Sequence, residues 1–423
     1  MSDPARLTAT QAARQIQAGT LSPIALMEAC LDRIAARDPD VRAFAHLDPA
    51  QARAGAAAAR PGKLHGIPVA VKDVLDTADM PSQYGSPIWA GWRPRADSAP
   101  VAATRAAGGV VIGKTVTTEF ATRHPGPTAN PHNLGHTPGG SSSGSAAAVA
   151  DFQVPVAFGT QTAGSIIRPA AYCGAVGYKP SFGLINRNGM KIMSDSLDTV
   201  GLIARSVADC AYVAGALADR DLGDPDVKPD RGPGVGICRT WHWDEASEET
   251  KALVARVAKA LVRAGARVED RDLPQNQFMA LRDAHPTVMN SESARALGWE
   301  RDTAWEQITP GLQERLGFGL ARNAAERDAA YAVFRDTQAG LPKVMDGLDI
   351  LITPSAPGEA PEGLGWTGDP AFNYIWTSLH GPCVTVPAGT GPKGLPLGIQ
   401  IIGRRGEDRQ TLAWAQWVAA AIG

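Results

Sequence analysis

The sequence predicts an α/β fold, and three observations carry that expectation. Leu64-His-Gly-Ile-Pro-Val-Ala-Val-Lys-Asp73 is mostly apolar up to its lysine, the pattern of a largely buried strand. Between Gly234 and Leu273 an apolar run, a helical stripe and a second run succeed one another as in a β-α-β unit. Leu348-Asp-Ile-Leu-Ile352 reads as another buried strand, ahead of a closing helix.

Taken in order, Thr8–Gln17 and Pro23–Ala36 show helical spacing, the second opened by Ser22-Pro23 as cap and first turn. Ile67–Val74 is strand-like. Pro100–Ala107 reads as a helix stopped by Gly108-Gly109, and Val110–Ile112 as the strand that follows. Gly234–Cys238 is a short strand. Leu253, Val254, Val257, Leu261 and Val262 then form the apolar stripe of a helix, before a strand over Arg267–Leu273. From Asn276 to Ala339 the chain is helical in pattern and rich in Arg and Ala. Glu407–Ala420 closes it as a helix with Leu412, Trp414 and Trp417 as packing residues. The proline-rich stretches Lys228–Pro233 and Pro354–Pro370 read as surface loops, and no internal repeat is visible.

Composition sets the outer bounds. A chain of 423 residues, 44% hydrophobic and 20% charged, buries a large core, and its length alone suggests two or three domains. A formal net charge of -2 gives no electrostatic bias toward nucleic acid or an anionic membrane. The five cysteines (Cys30, Cys173, Cys210, Cys238, Cys383) are odd in number and sit in apolar contexts, so they read as buried reduced thiols. No basic region followed by an apolar stretch opens the chain, and no run is long enough to span a bilayer. The expected location is the cytoplasm.

Chemistry concentrates in two glycine- and serine-rich loops, Thr137-Pro-Gly-Gly-Ser-Ser-Ser-Gly-Ser-Ala-Ala-Ala-Val-Ala150 and Gly159-Thr-Gln-Thr-Ala-Gly-Ser-Ile-Ile-Arg-Pro169. They flank the short apolar run Val154–Phe158. Glycine lets backbone amides crowd a reacting atom, and serine supplies a hydroxyl that attacks a carbonyl or relays a proton. Such loops at both ends of one buried segment point to a serine-based hydrolase. Lys72, at the end of its apolar strand, adds a base: burial penalises the ammonium and lowers its pKa toward neutrality. Taken alone, Lys72 has a plainer reading, in which it snorkels to water or pairs with Asp73.

Three motifs make the resemblance specific. Gly139–Gly144 matches Gly-Gly-Ser-Ser-x-Gly, Thr162-Ala-Gly-Ser165 matches a nucleophile loop, and Gly66–Asp73 matches Gly-x-Pro-x-x-x-Lys-Asp. Together, in this order, they resemble the amidase signature family of serine hydrolases with a Ser–cis-Ser–Lys triad. Cys173–Gly183, Leu351–Pro357, Val384–Pro387 and Leu395–Gly403 resemble the family as well, so the likeness runs over nearly the whole chain. It is weakest over 230–345. The resemblance implies one domain over 1–423, a mixed central sheet covered by helices on both faces, with 230–345 the variable, substrate-shaping part. It also implies Ser165 as nucleophile, Ser141 as the cis-serine and Lys72 as base. The backbone N–H groups of Thr162, Ala163, Gly164 and Ser165 become the oxyanion hole. The implied reaction is hydrolysis of a carbonyl C–N bond, in an aryl amide or a carbamate (urethane), with no cofactor and no metal. The expected partner is a small-molecule amide or carbamate, with a homodimer as the candidate assembly and no nucleic acid or membrane. The alternative is an A-type subunit of a glutamyl-tRNA amidotransferase, which releases ammonia from glutamine. That subunit normally keeps an acidic residue where Gln161 stands and has a longer C-terminal part.

The sequence departs from the family beside the nucleophile. Gln161 replaces the acidic residue, Ala163 replaces a common glycine, and Ser165-Ile-Ile-Arg-Pro169 moves the arginine along by one. Two other patterns are decoys. Gly108-Gly-Val-Val-Ile-Gly-Lys-Thr115 fits the phosphate-loop letters, but with a helix before it and a strand inside it the order is inverted. Gly140-Ser-Ser-Ser-Gly144 fits a nucleophile elbow on Ser142, yet a turn, not a strand, precedes it. His124, His132 and His136 share one proline-bracketed loop; they read as loop hydrogen-bonding groups, with a share in the cavity wall as the second reading. Trp89, Trp92, Phe120, Tyr374 and Trp376 are the aromatics offered for an aryl substrate pocket.

Overall fold

A computed structural model of the chain describes residues 3–224, 226–227 and 229–423; Met1, Ser2, Pro225 and Lys228, the expected start of one surface loop, lie outside them. The strands are β1 (Phe44–Leu47), β2 (Pro68–Lys72), β3 (Val110–Thr115), β4 (Val156–Gln161), β5 (Val176–Lys179) and β6 (Thr199–Ala204). There follow β7 (Gly234–Ile237), β8 (Arg267–Asp270), β9 (Ile350–Pro354), β10 (Cys383–Thr390) and β11 (Pro396–Ile402). Among the described residues they form one sheet, in the order β1-β3-β2-β4-β6-β5-β10-β11-β9-β7-β8. It is mixed: β2 runs parallel to β3 and β4, and β7 parallel to β8 and β9, while the middle pairs are antiparallel.

Side chains alternate between the two faces of a strand, and the buried residues divide accordingly. Ile350, Ile352, Val384, Ile399 and Ile401 belong to one core. Leu351, Cys383 and Ile402, interleaved with them, belong to another. Helices Pro23–Val41, Glu248–Arg263 and Asp408–Ile422 cover the first face, and Leu281–Ala296 with Ala324–Val344 the second. The α/β fold with a helix-covered mixed sheet is therefore present. No helix is long and apolar enough to cross a membrane among the described residues. All five cysteines are buried and free.

Several boundaries move for identifiable reasons. The second helix runs on through Pro39 to Val41 and ends at Arg42 in the left-handed conformation, whose N–H donates to Asp38 O (2.8 Å). β3 continues through the supposed phosphate loop to Thr115, since Lys114 is held inside the protein by Asp73, 3.1 Å away. That pair also removes the Lys72–Asp73 partnership: Asp73 belongs to Lys114. Val262 leaves the apolar stripe and is exposed, the neighbouring Leu261 taking the buried position. Pro354–Pro370 is not simply a surface loop, because Thr367, Asp369 and Pro370 wall the main cavity.

β2 and β4 are parallel neighbours, so their carboxyl ends, Lys72 and Gln161, emerge at the same edge of the sheet. Ligand sites in α/β sheets form at such edges. The helix Ser143–Ala150 packs beneath that edge at a distance only glycine permits, since a Cβ on Gly144 would lie 2.1 Å from Ala43 O.

Candidate active site

Lys72 closes β2 with no solvent exposure. Its Nζ lies 2.7 Å from Ser141 Oγ and 2.8 Å from Thr160 Oγ1. Burial holds its pKa well below the ordinary lysine value, opposed only by the charge of Asp198. A lysine that touches two hydroxyls and no carboxylate has no charged partner close by to favour its ammonium form. Ser141 follows a cis peptide bond from Gly140. The Gly140 carbonyl accepts from Arg168 Nη2 (2.7 Å), and Ser141 O accepts from Thr118 N–H (3.3 Å).

Ser165 stands between β4 and the helix Ile167–Cys173, on the wall of a cavity of about 590 Å³. Its carbonyl accepts from Ser142 N–H (3.3 Å), which ties the two serine loops together, while its hydroxyl has no protein partner among the described residues. None of the N–H groups of Thr162, Ala163, Gly164 and Ser165 donates to a protein acceptor there either. The structure thus brings Lys72 and Ser141 into contact and places Ser165 on the cavity side of them. Gly164 is compulsory, because a Cβ would meet Asn373 Oδ1 at 2.4 Å.

Three residues that carry no motif brace this loop. Asp198 accepts from Thr162 Oγ1 (2.6 Å) and from the Met193 and Ser194 amides, and burial raises its pKa to about 6. His285 Nε2 donates to Thr162 O (3.0 Å); burial lowers its pKa to about 4, so the ring is neutral with its proton on Nε2. Gln161 fills the place expected for an acid. Its Oε1 accepts from the Ile166 and Ile167 amides (2.9 and 3.0 Å), and its Nε2 donates to Thr377 Oγ1 (3.0 Å). Because Gln161 donates there, the Thr377 hydroxyl is free to donate to Ala163 O (2.7 Å). Thr377→Val leaves Gln161 Nε2 buried and unpaired and takes from the half-buried Ala163 O its donor. We expect a loss of about 1–3 kcal/mol, the cost of one buried unpaired group, and a fall in kcat larger than any rise in KM. Denaturation curves and kinetics that match the wild type contradict this.

Most of the aromatics offered from sequence are ordinary core, the commoner role of such residues, and do not line the cavity. Tyr374 is there, but Trp89 and Phe120 pack into a separate core with Tyr84 and Leu312, Trp92 lies against Trp89, and Trp376 is buried in the second core. His132 binds Cys173 O (2.9 Å) as a loop hydrogen-bonding group, whereas His136 bonds only through its backbone, to Asn130 and Asn133, and its ring nitrogens have no partner among the described residues; neither lines the cavity. Ser142 Oγ is fully buried and accepts from Thr160 N–H (3.3 Å), out of reach as an elbow nucleophile.

A buried lysine against a serine, with a second serine on an adjoining loop of free amides, defines a serine hydrolase architecture without histidine. The family model described as Amidase matches residues 25–412, and the chain belongs to the amidase (amidase signature) family. The A-type subunit of the glutamyl-tRNA(Gln) amidotransferase of Chloroflexus aggregans is 35% identical over 94% of this chain and 93% of its own length. Among solved structures, an amidase superposes with TM-score 0.91 at 28% identity, covering 99% of this chain and all of that one. The peptide amidase of Stenotrophomonas maltophilia gives TM-score 0.82 at 30% identity, over 99% and 97%.

Proposed function

We propose that the protein is an amidohydrolase that cleaves a linear amide or carbamate through an acyl-enzyme on Ser165. The observation that carries this reading is the buried Lys72 in contact with Ser141 and with no carboxylate partner. With Lys72 neutral, its lone pair accepts the Ser141 proton as Ser141 accepts that of Ser165, whose oxygen attacks the carbonyl. The amides of residues 162–165 then receive the oxyanion, each such donor being worth about 3–4 kcal/mol in the transition state. The relay reversed protonates the leaving nitrogen, and water enters by the same route to release the acid. Lys72, Ser141 and Ser165 hold and pass every proton, so no cofactor or metal is called for.

The second reading, an A-type subunit of an amidotransferase, draws on the 35% identical relative. A panel of a small aliphatic amide, an aryl anilide, an aryl carbamate and glutamine separates the two. Turnover of the synthetic members by the isolated chain is the expected result. Turnover of glutamine alone assigns the ammonia-releasing role instead.

A further inference from the structure

Four arginines, Arg123, Arg168, Arg282 and Arg315, face the cavity that holds Ser165. They come from separate places: the turn after β3, the first turn beyond the nucleophile, and helices Leu281–Ala296 and Pro310–Leu320. None forms an ion pair among the described residues. Elsewhere arginines find carboxylates readily: Arg33 and Arg37 share Asp151, Arg105 reaches Asp79 and Asp97, and Arg231 grips Asp349. Two carboxylates stand in the same wall, Glu314 and Asp369, yet neither closes on a guanidinium.

Arg168 is the most telling of the four. It is 5% exposed, spends Nη2 on Gly140 O, and leaves Nε with no partner. Burial lowers its pKa to about 10 against the opposing charge of Asp369, and burial with Arg123 and Arg168 does the same to Arg315 against that of Glu314. Arg123 and Arg282 are exposed and Arg315 half-buried around the buried Arg168, and Glu314 and Asp369 offset only part of the charge the four gather there. Such arrangements persist where a ligand supplies the missing charge. A guanidinium fork fits a planar carboxylate through two parallel hydrogen bonds.

Resting on the reading of Ser165 as nucleophile, we propose that the substrate is an amide carrying at least one free carboxylate, held by the arginines of this cavity beside the bond to be cut. The excess of four guanidinium groups over two carboxylates suits an acid substrate and disfavours a cationic one. It also gives the variable region a task, since Arg282 and Arg315 both come from it.

The test compares kcat/KM for succinamic acid with its methyl ester, which carries the charge in the acyl part. N-acetylglycine against N-acetylglycinamide carries it in the leaving part. At least one acid should exceed its neutral partner by about 10- to 100-fold, the range for charge-assisted hydrogen bonds. In Arg123→Gln and Arg315→Gln that ratio should fall toward one, mainly through KM. Titration of the Ser165→Ala variant with succinate, succinamide and inorganic phosphate reads the anion site without chemistry: succinate should bind, and succinamide should not. Ser165-dependent turnover with no preference for either acid overturns the proposal and leaves the hydrolase reading intact. So does binding of phosphate without succinate. Turnover that survives in Ser165→Ala overturns the hydrolase reading instead.

Discussion

Ser165→Ala is expected to lower kcat by about 10⁴-fold or more on any amide the wild type cleaves, while leaving the fold in place. The scale is that of removing a nucleophile whose loop and binding groups remain. Both halves follow from the geometry. The Ser165 hydroxyl has no protein partner, so its loss leaves no buried group unpaired, and the side chain lies at a cavity wall where alanine fits. The backbone N–H and the carbonyl that accepts from Ser142 stay where they are. Thermal unfolding within about a degree of wild type, with substrate still bound, is the accompanying result, as surface-lining changes usually fall within ±0.5 kcal/mol. A comparable loss of activity caused by unfolding does not count as support.

Lys72→Met is the second large effect, and it falls on activity far more than on stability. The base must be neutral to accept a proton. Wild-type kcat/KM should therefore fall about tenfold per pH unit as acid protonates Lys72, at a pH well below the ordinary lysine range. In Lys72→Met, kcat should drop by about 10³-fold or more and that acidic limb should vanish. On stability two contributions oppose each other. A lysine whose folded pKa is lowered gives up its proton on folding, a cost incurred at every pH below its unfolded value and largest once the pH is below the folded one. Methionine has no such cost, but it leaves the buried Ser141 and Thr160 hydroxyls without the lysine, so the net change in Tm should be small. An acidic limb retained in Lys72→Met places the titrating base elsewhere.

The sequence carried the centre of this site and not its surroundings, for a physical reason. Ser141 and Ser165 sit in short loops whose glycines and serines are themselves the signal, and Lys72 ends an apolar strand inside a contiguous motif, so spacing along the chain suffices to propose them. Asp198 and His285 brace Thr162 from positions 36 and 123 residues away. A lone aspartate ahead of a strand and a lone histidine on a helix resemble many others. The arginines of the cavity come from three regions, and only the fold makes them neighbours. Asp73 settles the plainer reading of Lys72: alternate residues of a strand face opposite ways, and Lys114 on β3 claims the carboxylate. Gln161 read as a missing charge. In the fold it is an exchange of donor for acceptor that sends the Thr377 hydroxyl to Ala163.

The central claim is that the acyl group passes through Ser165. Incubating the protein with an aryl carbamate or an alkyl fluorophosphonate, digesting it, and locating the added mass by peptide mass spectrometry reads that directly. Label on Ser165, lost in Lys72→Met and absent in Ser165→Ala, is the predicted result. Label on Ser141 or Ser142 that persists in Ser165→Ala contradicts the account, because the nucleophile would then lie on the other loop.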